Sequence, residues 1–158
     1  MKYKITFLTF AIATLLQPFP SFAINQMDKE MLQSLADESK PYVVGMGRSA
    51  VDSCQDMAND MVKKYGRELS KIGRQPSEIR ESSFGICLNA ITSAQSAKYR
   101  DEIDMWKDSA IENINQEFMN DSREETPRYF LTESVDHSAK IARLVFFMME
   151  LSKKYDIK

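Results

Sequence analysis

From residue 24 onward the apolar positions of this chain recur in threes and fours, the spacing of one face of an α-helix. No stretch reads convincingly as a strand, and no internal repeat is present. The strongest stripe is Val43, Met46, Ala50, Cys54, Met57, Met61 and Tyr65. Pro41 suits the first turn of that helix, and Gly66, following Lys63 and Lys64, suits its C-cap. Gly45 and Gly47 would weaken the opening turns by about 1 kcal/mol each relative to alanine. Residues 67–73 add a further turn ended by Gly73. Pro76-Ser77-Glu78 then opens a partner helix with apolar positions at Phe84, Cys87 or Leu88, Ile91, Ala94 and Lys98 or Tyr99. The stripe continues through Ile103, Trp106, Ala110, Ile114 and Phe118, either as one long helix or as two with a kink near Ser93–Ser96.

A shorter helix precedes these, with Asn25 as its cap, Asp28 in its first turn, and Met27, Met31 and Leu35 on a narrow apolar face. A polar loop over 120–128, closed by Pro127, leads to a last helix from about Tyr129 to Tyr155. There Val135, Ala139, Ala142, Phe146 and Met149 face one way, and Leu144, Phe147, Met148 and Leu151 widen the arc. A helix apolar over so much of its circumference is either the centre of a bundle or part of an oligomer interface. Phe146, Phe147 and Met149 are the candidate interface residues, with a two-fold homodimer as the form. The fold class expected is all-α, a small bundle of four to five helices.

The start of the chain changes this picture. Lys2 and Lys4 precede the apolar run Ile5–Leu16, which Pro18 and Pro20 break before Ser21-Phe22-Ala23. That is the pattern of a signal peptide over residues 1–23, and the run is too short to span a bilayer. Residues 24–158 then form a single helical domain, long enough for its own core. Loss of Lys2 and Lys4 from 21 basic residues leaves 19 against 23 acidic ones, a net charge of −4. Such a surface suits neither nucleic acid nor anionic lipid as partner. The expected location is periplasmic or secreted, with no membrane contact once the signal is removed.

Export also bears on the cysteines. Cys54 and Cys87, the two in the chain, read as one disulfide in an oxidising compartment. Cys54 lies 11 residues before Tyr65 and Cys87 lies 10 after Ser77. Both therefore sit about 15–16 Å from the helix connection, facing each other in an antiparallel hairpin. Closing that loop is expected to contribute roughly 3–4 kcal/mol.

Candidate chemistry is sparse. The single histidine, His137, lies beside Asp136 and near Glu133, and reads first as a surface residue, with a base as the alternative. One histidine and two bonded cysteines do not supply a zinc site, and there is no nucleophile elbow. Glu38-Ser39, Glu81-Ser82 and Glu133-Ser134 are the places where a carboxylate-based hydrolase of the lytic transglycosylase kind would keep its acid, without that family's accompanying motif. Asp101-Glu102-Ile103-Asp104 lacks the glycine and alternating oxygens of a calcium loop. Asn120-Asp121-Ser122 fits a glycosylation acceptor. Nine methionines follow Ala23, a residue type that fills irregular cores and adapts to binding surfaces. No catalytic, metal or cofactor site is expected.

Two resemblances follow from these residues. Ser53-Cys54 and Gly85-Ile86-Cys87-Leu88-Asn89-Ala90-Ile91 resemble the cysteine segments of the exported, helical, single-disulfide immunity proteins of type VI amidase effectors, the Rap/Tai group. Asn89-Ala90 stands where that group carries Gly-Tyr. Cys54-Gln55-Asp56-Met57, and Lys98-Tyr99-Arg100-Asp101-Glu102-Ile103 with Trp106, are similar to acid-stress chaperones of the HdeA type. The first resemblance implies an inhibitor that binds and blocks a secreted, peptidoglycan-targeting enzyme or toxin. The second implies a periplasmic holdase.

Overall fold

A computed structural model describes residues 24–45, 48–118 and 125–156. The expected signal peptide and the Asn120-Asp121-Ser122 triplet lie outside them. Five helices follow in order: α1 (Gln26–Glu38), α2 (Ala50–Ser70), α3 (Pro76–Ser96), α4 (Asp101–Glu117) and α5 (Glu125–Lys154). There is no strand among the described residues; one isolated bridge pairs Gly45 with Arg48.

α5 is the axis of the bundle and packs on all four other helices, which accounts for its wide apolar arc. Phe146 is accordingly core: it is buried with Ala90, Ala94, Ile103 and Ala142. Phe147 and Met149 are half-buried and pack on the main cluster, which contains Leu35, Met57, Met61, Leu69, Ile141, Leu144 and Met148. The interface expected on all three residues can therefore use only Phe147 and Met149 without unpacking the fold.

Helix boundaries depart from the periodicity in two instructive places. The first is the start of α2. Residues 41–45 and 48–49 are not helical, and Met46 and Gly47 lie outside the described residues: Gly45 adopts φ 112°, in the left-handed region, and its backbone pairs with Arg48 at 2.9 and 3.0 Å. The helix begins where Ser49 and Asp52 cap each other reciprocally, the Ser49 hydroxyl accepting the Asp52 N–H at 3.1 Å and the Asp52 carboxylate accepting the Ser49 N–H at 3.1 Å. Tyr42 and Val44 enter the core from this strap, neighbours of the Val43 that the stripe predicted, and Val43 itself is partly buried against it. The second is the end of α2. Gly66 lies inside the helix, and the chain stops at Gly73 (φ 85°), whose N–H folds back onto the Ser70 carbonyl at 3.1 Å. Leu69, buried one turn past Tyr65, holds the extra turn on the core.

α3 opens at Pro76 as expected, with Glu78 accepting the Gln75 N–H at 2.9 Å. Of the two alternatives beyond it, the break is real: Ala97 turns extended and Glu102 accepts the N–H groups of both Lys98 and Tyr99 at 3.1 Å, starting α4 afresh. Tyr99 is 69% exposed and belongs to the connection, not to the stripe. α5 begins four residues before Tyr129, with Pro127 in its first turn, where a missing N–H costs nothing.

The cysteines form the expected bond. Cys54 of α2 and Cys87 of α3 lie 5.6 Å apart at Cα, and both are fully buried. Beside Cys87 on the same side of α3, Ser83 meets Ser134 of α5, and Ala90 and Ala94 cluster with Ala142, side chains small enough for close helix approach. The hydroxyls in that seam are paired: Ser83 with Ser134 at 3.0 Å, and Ser138 onto the Ser134 carbonyl at 2.6 Å.

Candidate functional site: a groove beside α4

α4 rests on α5 and touches α3 more sparsely. Two ion pairs fix it to α5, Lys107 to Asp136 at 2.8 Å and Arg143 to Asp104 at 2.7 Å through Nε. The space left between α3 and α4 is an open groove of about 520 Å³. Gly85, Ile86 and Asn89 form one wall; Trp106, Ser109, Ala110, Asn113 and Ile114 form the other; Leu131 and Val135 of α5 make the floor. None of these side chains ionises. The indole N–H of Trp106 donates to Asn89 Oδ1 at 2.7 Å, which fixes the ring. Trp106 also lines a second cavity of about 390 Å³, together with Ser93, Ser96, Glu102 and Met105. Met105 is 67% exposed there.

Glu133 and His137, singled out in the sequence, lie elsewhere, where α5 meets α2 and the strap. Lys64 donates to both oxygens of Glu133, at 2.7 and 2.6 Å, and the Tyr65 hydroxyl donates to the same carboxylate. Burial pushes the Glu133 carboxyl up, but these bonds outweigh it and leave the group below the usual carboxylate range. Burial, helped by Glu133, pushes the Tyr65 hydroxyl up. Burial and the neighbouring Asp60 raise Tyr42 to about 12, and its hydroxyl donates to Asp60 at 3.1 Å. His137 is not the surface residue expected. Its ring meets Tyr42 edge-on with centroids 5.3 Å apart, Nε2 lies 3.6 Å from Glu133, and Nδ1 is buried without a hydrogen-bond partner. Burial, with Lys140 nearby, holds its pKa below the ordinary histidine value.

This cluster is a latch. A glycosidase-type acid needs a carboxyl raised toward neutrality, and Glu133 is lowered with its oxygens already engaged. Glu38 and Glu81 are exposed on α1 and α3, on separate helices from Glu133. Among the described residues no group of three or more His, Cys, Asp or Glu is placed to hold a metal ion, and no helix is long and apolar enough to cross a membrane.

A second polar cluster escaped the sequence reading. Asp28, buried near the start of α1, accepts from Lys154 at 2.7 Å and from the Tyr155 hydroxyl at 2.6 Å, while that hydroxyl accepts the Asn25 N–H at 3.0 Å. It clasps α1 to the end of α5, and α5 is the helix on which α1 chiefly rests. Bonds from Lys154 and then Tyr155 hold the Asp28 carboxyl below its ordinary value. In the sequence Asp28 read as a first-turn acid, and nothing there pointed to partners more than 120 residues away.

Comparison of the chain with protein-family models, with curated proteins and with solved structures finds no match.

Proposed function

We propose that this protein works by binding, as an exported, immunity-type inhibitor that blocks a secreted, peptidoglycan-targeting enzyme. The observation that carries the reading is the groove beside α4: open, preformed, and lined without a single ionisable side chain, so that it offers contact and no acid–base chemistry. Trp106, which lines both cavities, and Met105 of the second are residue types that anchor protein interfaces. A buried disulfide and a continuous core keep the surface preorganised, which limits the entropy lost on association. Cell-wall amidases, peptidases and glycosidases, each incubated with the purified protein, test the reading. One enzyme class should lose activity at a fixed stoichiometry, and Trp106→Ala should restore it. Full activity of all three classes under a large excess of the protein would refute the proposal.

One observation favours a second reading, the acid-stress holdase. α1 is fastened by the Asp28 clasp, and protonating that carboxylate would release it from α5 and bare apolar surface. Protection of unrelated denaturing proteins at low pH, with none at pH 7, would place this reading first.

A further inference from the structure

We propose that the groove between α3 and α4 is a binding site for a short, uncharged oligosaccharide. This goes beyond the inhibitor reading of the same groove and is tested apart from it, because sugar binding is measured on the protein alone and inhibition only with an enzyme present.

The chemistry of the lining makes the argument. A sugar ring presents an apolar C–H face and a rim of hydroxyls, and it needs an aromatic plane together with amide and hydroxyl partners. The groove supplies that combination. Trp106 borders both cavities while packing against the cluster of Ala90, Ala94, Ile103, Ala142 and Phe146, and the bond to Asn89 fixes its ring there. An aromatic ring held by its polar edge is a preformed stacking surface. The amide nitrogen of Asn89 is free of that bond, and the Asn113 amide and Ser109 hydroxyl have no partner among the described residues. Ser93 and Ser96 extend the polar wall into the second cavity. From Gly85 to Ser96 the α3 wall rises about 16 Å, room for several linked rings and more than one ring needs.

Charge excludes the other ring-bearing polymers. Nucleic acids and sulfated or phosphorylated glycans are held by lysine and arginine along the backbone. Neither cavity is lined by a cation, and the ionisable group that is present, Glu102, would repel an anionic chain.

The chain's single tryptophan is the one in the groove, so tryptophan emission, excited selectively over the six tyrosines, reads this site alone. Chitotriose, cellotriose and maltotriose would be titrated into the protein, with isothermal calorimetry as a second readout in case the emission is silent. At least one sugar should give saturable binding with a Kd of roughly 0.1–10 mM. Asn113→Ala, on the exposed rim, should weaken it about tenfold while leaving the melting temperature unchanged; that factor corresponds to about 1.4 kcal/mol. No saturable signal from any of the three by either method would overturn the proposal. So would binding that Asn113→Ala and Asn89→Ala leave intact. Saturable binding of an uncharged amphipathic peptide, with none of the sugars, would reassign the groove to a protein segment and equally overturn it.

Discussion

Reduction of Cys54–Cys87 is the sharpest perturbation of this fold. The bond closes a sequence separation of 33 residues between helices that otherwise meet only through side chains. On the chain-entropy account that constraint on the unfolded state is worth about 3–4 kcal/mol. The 135 residues after Ala23 have an unfolding entropy of about 0.28 kcal/mol/K near 60 °C. The quotient is a fall in melting temperature of about 10–14 °C, readable by circular dichroism on the oxidised protein and on the reduced, alkylated one. A second consequence comes from burial. Both sulfurs belong to residues with 0% exposure, so a thiol reagent can reach them only when α2 and α3 part. Native reduction should therefore be far slower than reduction in denaturant, and should accelerate with urea in step with unfolding. A melting shift below about 3 °C would refute the entropy argument. Equal reduction rates with and without denaturant would refute the placement of the bond in the core.

Three further outcomes follow from named contacts. Phe146→Ala should cost about 3–5 kcal/mol, as for a fully packed aromatic, and Phe147→Ala clearly less; sedimentation of Phe147→Asp against wild type then tests the homodimer, which a wild type sedimenting as a monomer at high concentration would exclude. Because the folded His137 binds its proton less readily than the unfolded one, its contribution is complete above the ordinary value of 6.5 and is lost as pH falls from there toward the lowered folded value; the urea midpoint should drop between pH 7 and pH 5.5, and His137→Phe should flatten that slope. Asp28→Asn should raise amide exchange in α1 while leaving α2, α3 and α5 protected, and uniform exchange across the chain would show that the clasp is not what fastens α1.

How much of this was legible in the sequence depends on the distance over which each feature is encoded. The disulfide was, because two helical stripes of matching length set Cys54 and Cys87 at one height. The break before α4 was visible only as an alternative, since Lys98 and Tyr99 fit the spacing of a continuing stripe and it is Glu102, reaching back to their N–H groups, that decides against it. The strap at 41–45 is hidden from the periodicity for the opposite reason. Tyr42, Val43 and Val44 are apolar and contribute to the core, and burial alone does not say whether the backbone that delivers it is helical; the left-handed Gly45 does.

The candidate site was hidden by the same physics that made the fold readable. Helical periodicity reports which positions turn inward together: it places Trp106, Ala110, Ile114 and Val135 of the lining, and leaves out the polar positions that complete the groove. Gly85, Asn89, Ser109 and Asn113 are exposed and read as ordinary solvent-facing residues on two different helices. α3 is the clearest case: it sends Cys87 and Ile91 into the main core, Ser83, Ala90 and Ala94 toward α5, and Gly85 and Asn89 toward α4. A helix with three different neighbours spreads its buried positions around its circumference, which weakens the single apolar stripe. What the pattern withholds is which of its polar positions face water and which face a wall. Here that follows from the anchoring of α4 to α5 by Lys107–Asp136 and Asp104–Arg143, pairs whose members lie 29 and 39 residues apart. Those ion pairs are partly exposed, so each contributes little to stability. Ile103, buried with Ala90 and Ala94 of α3 and with Ala142 and Phe146 of α5, anchors the start of α4; the ion pairs orient the helix on α5, and the groove is the space left where α4 touches α3 sparsely.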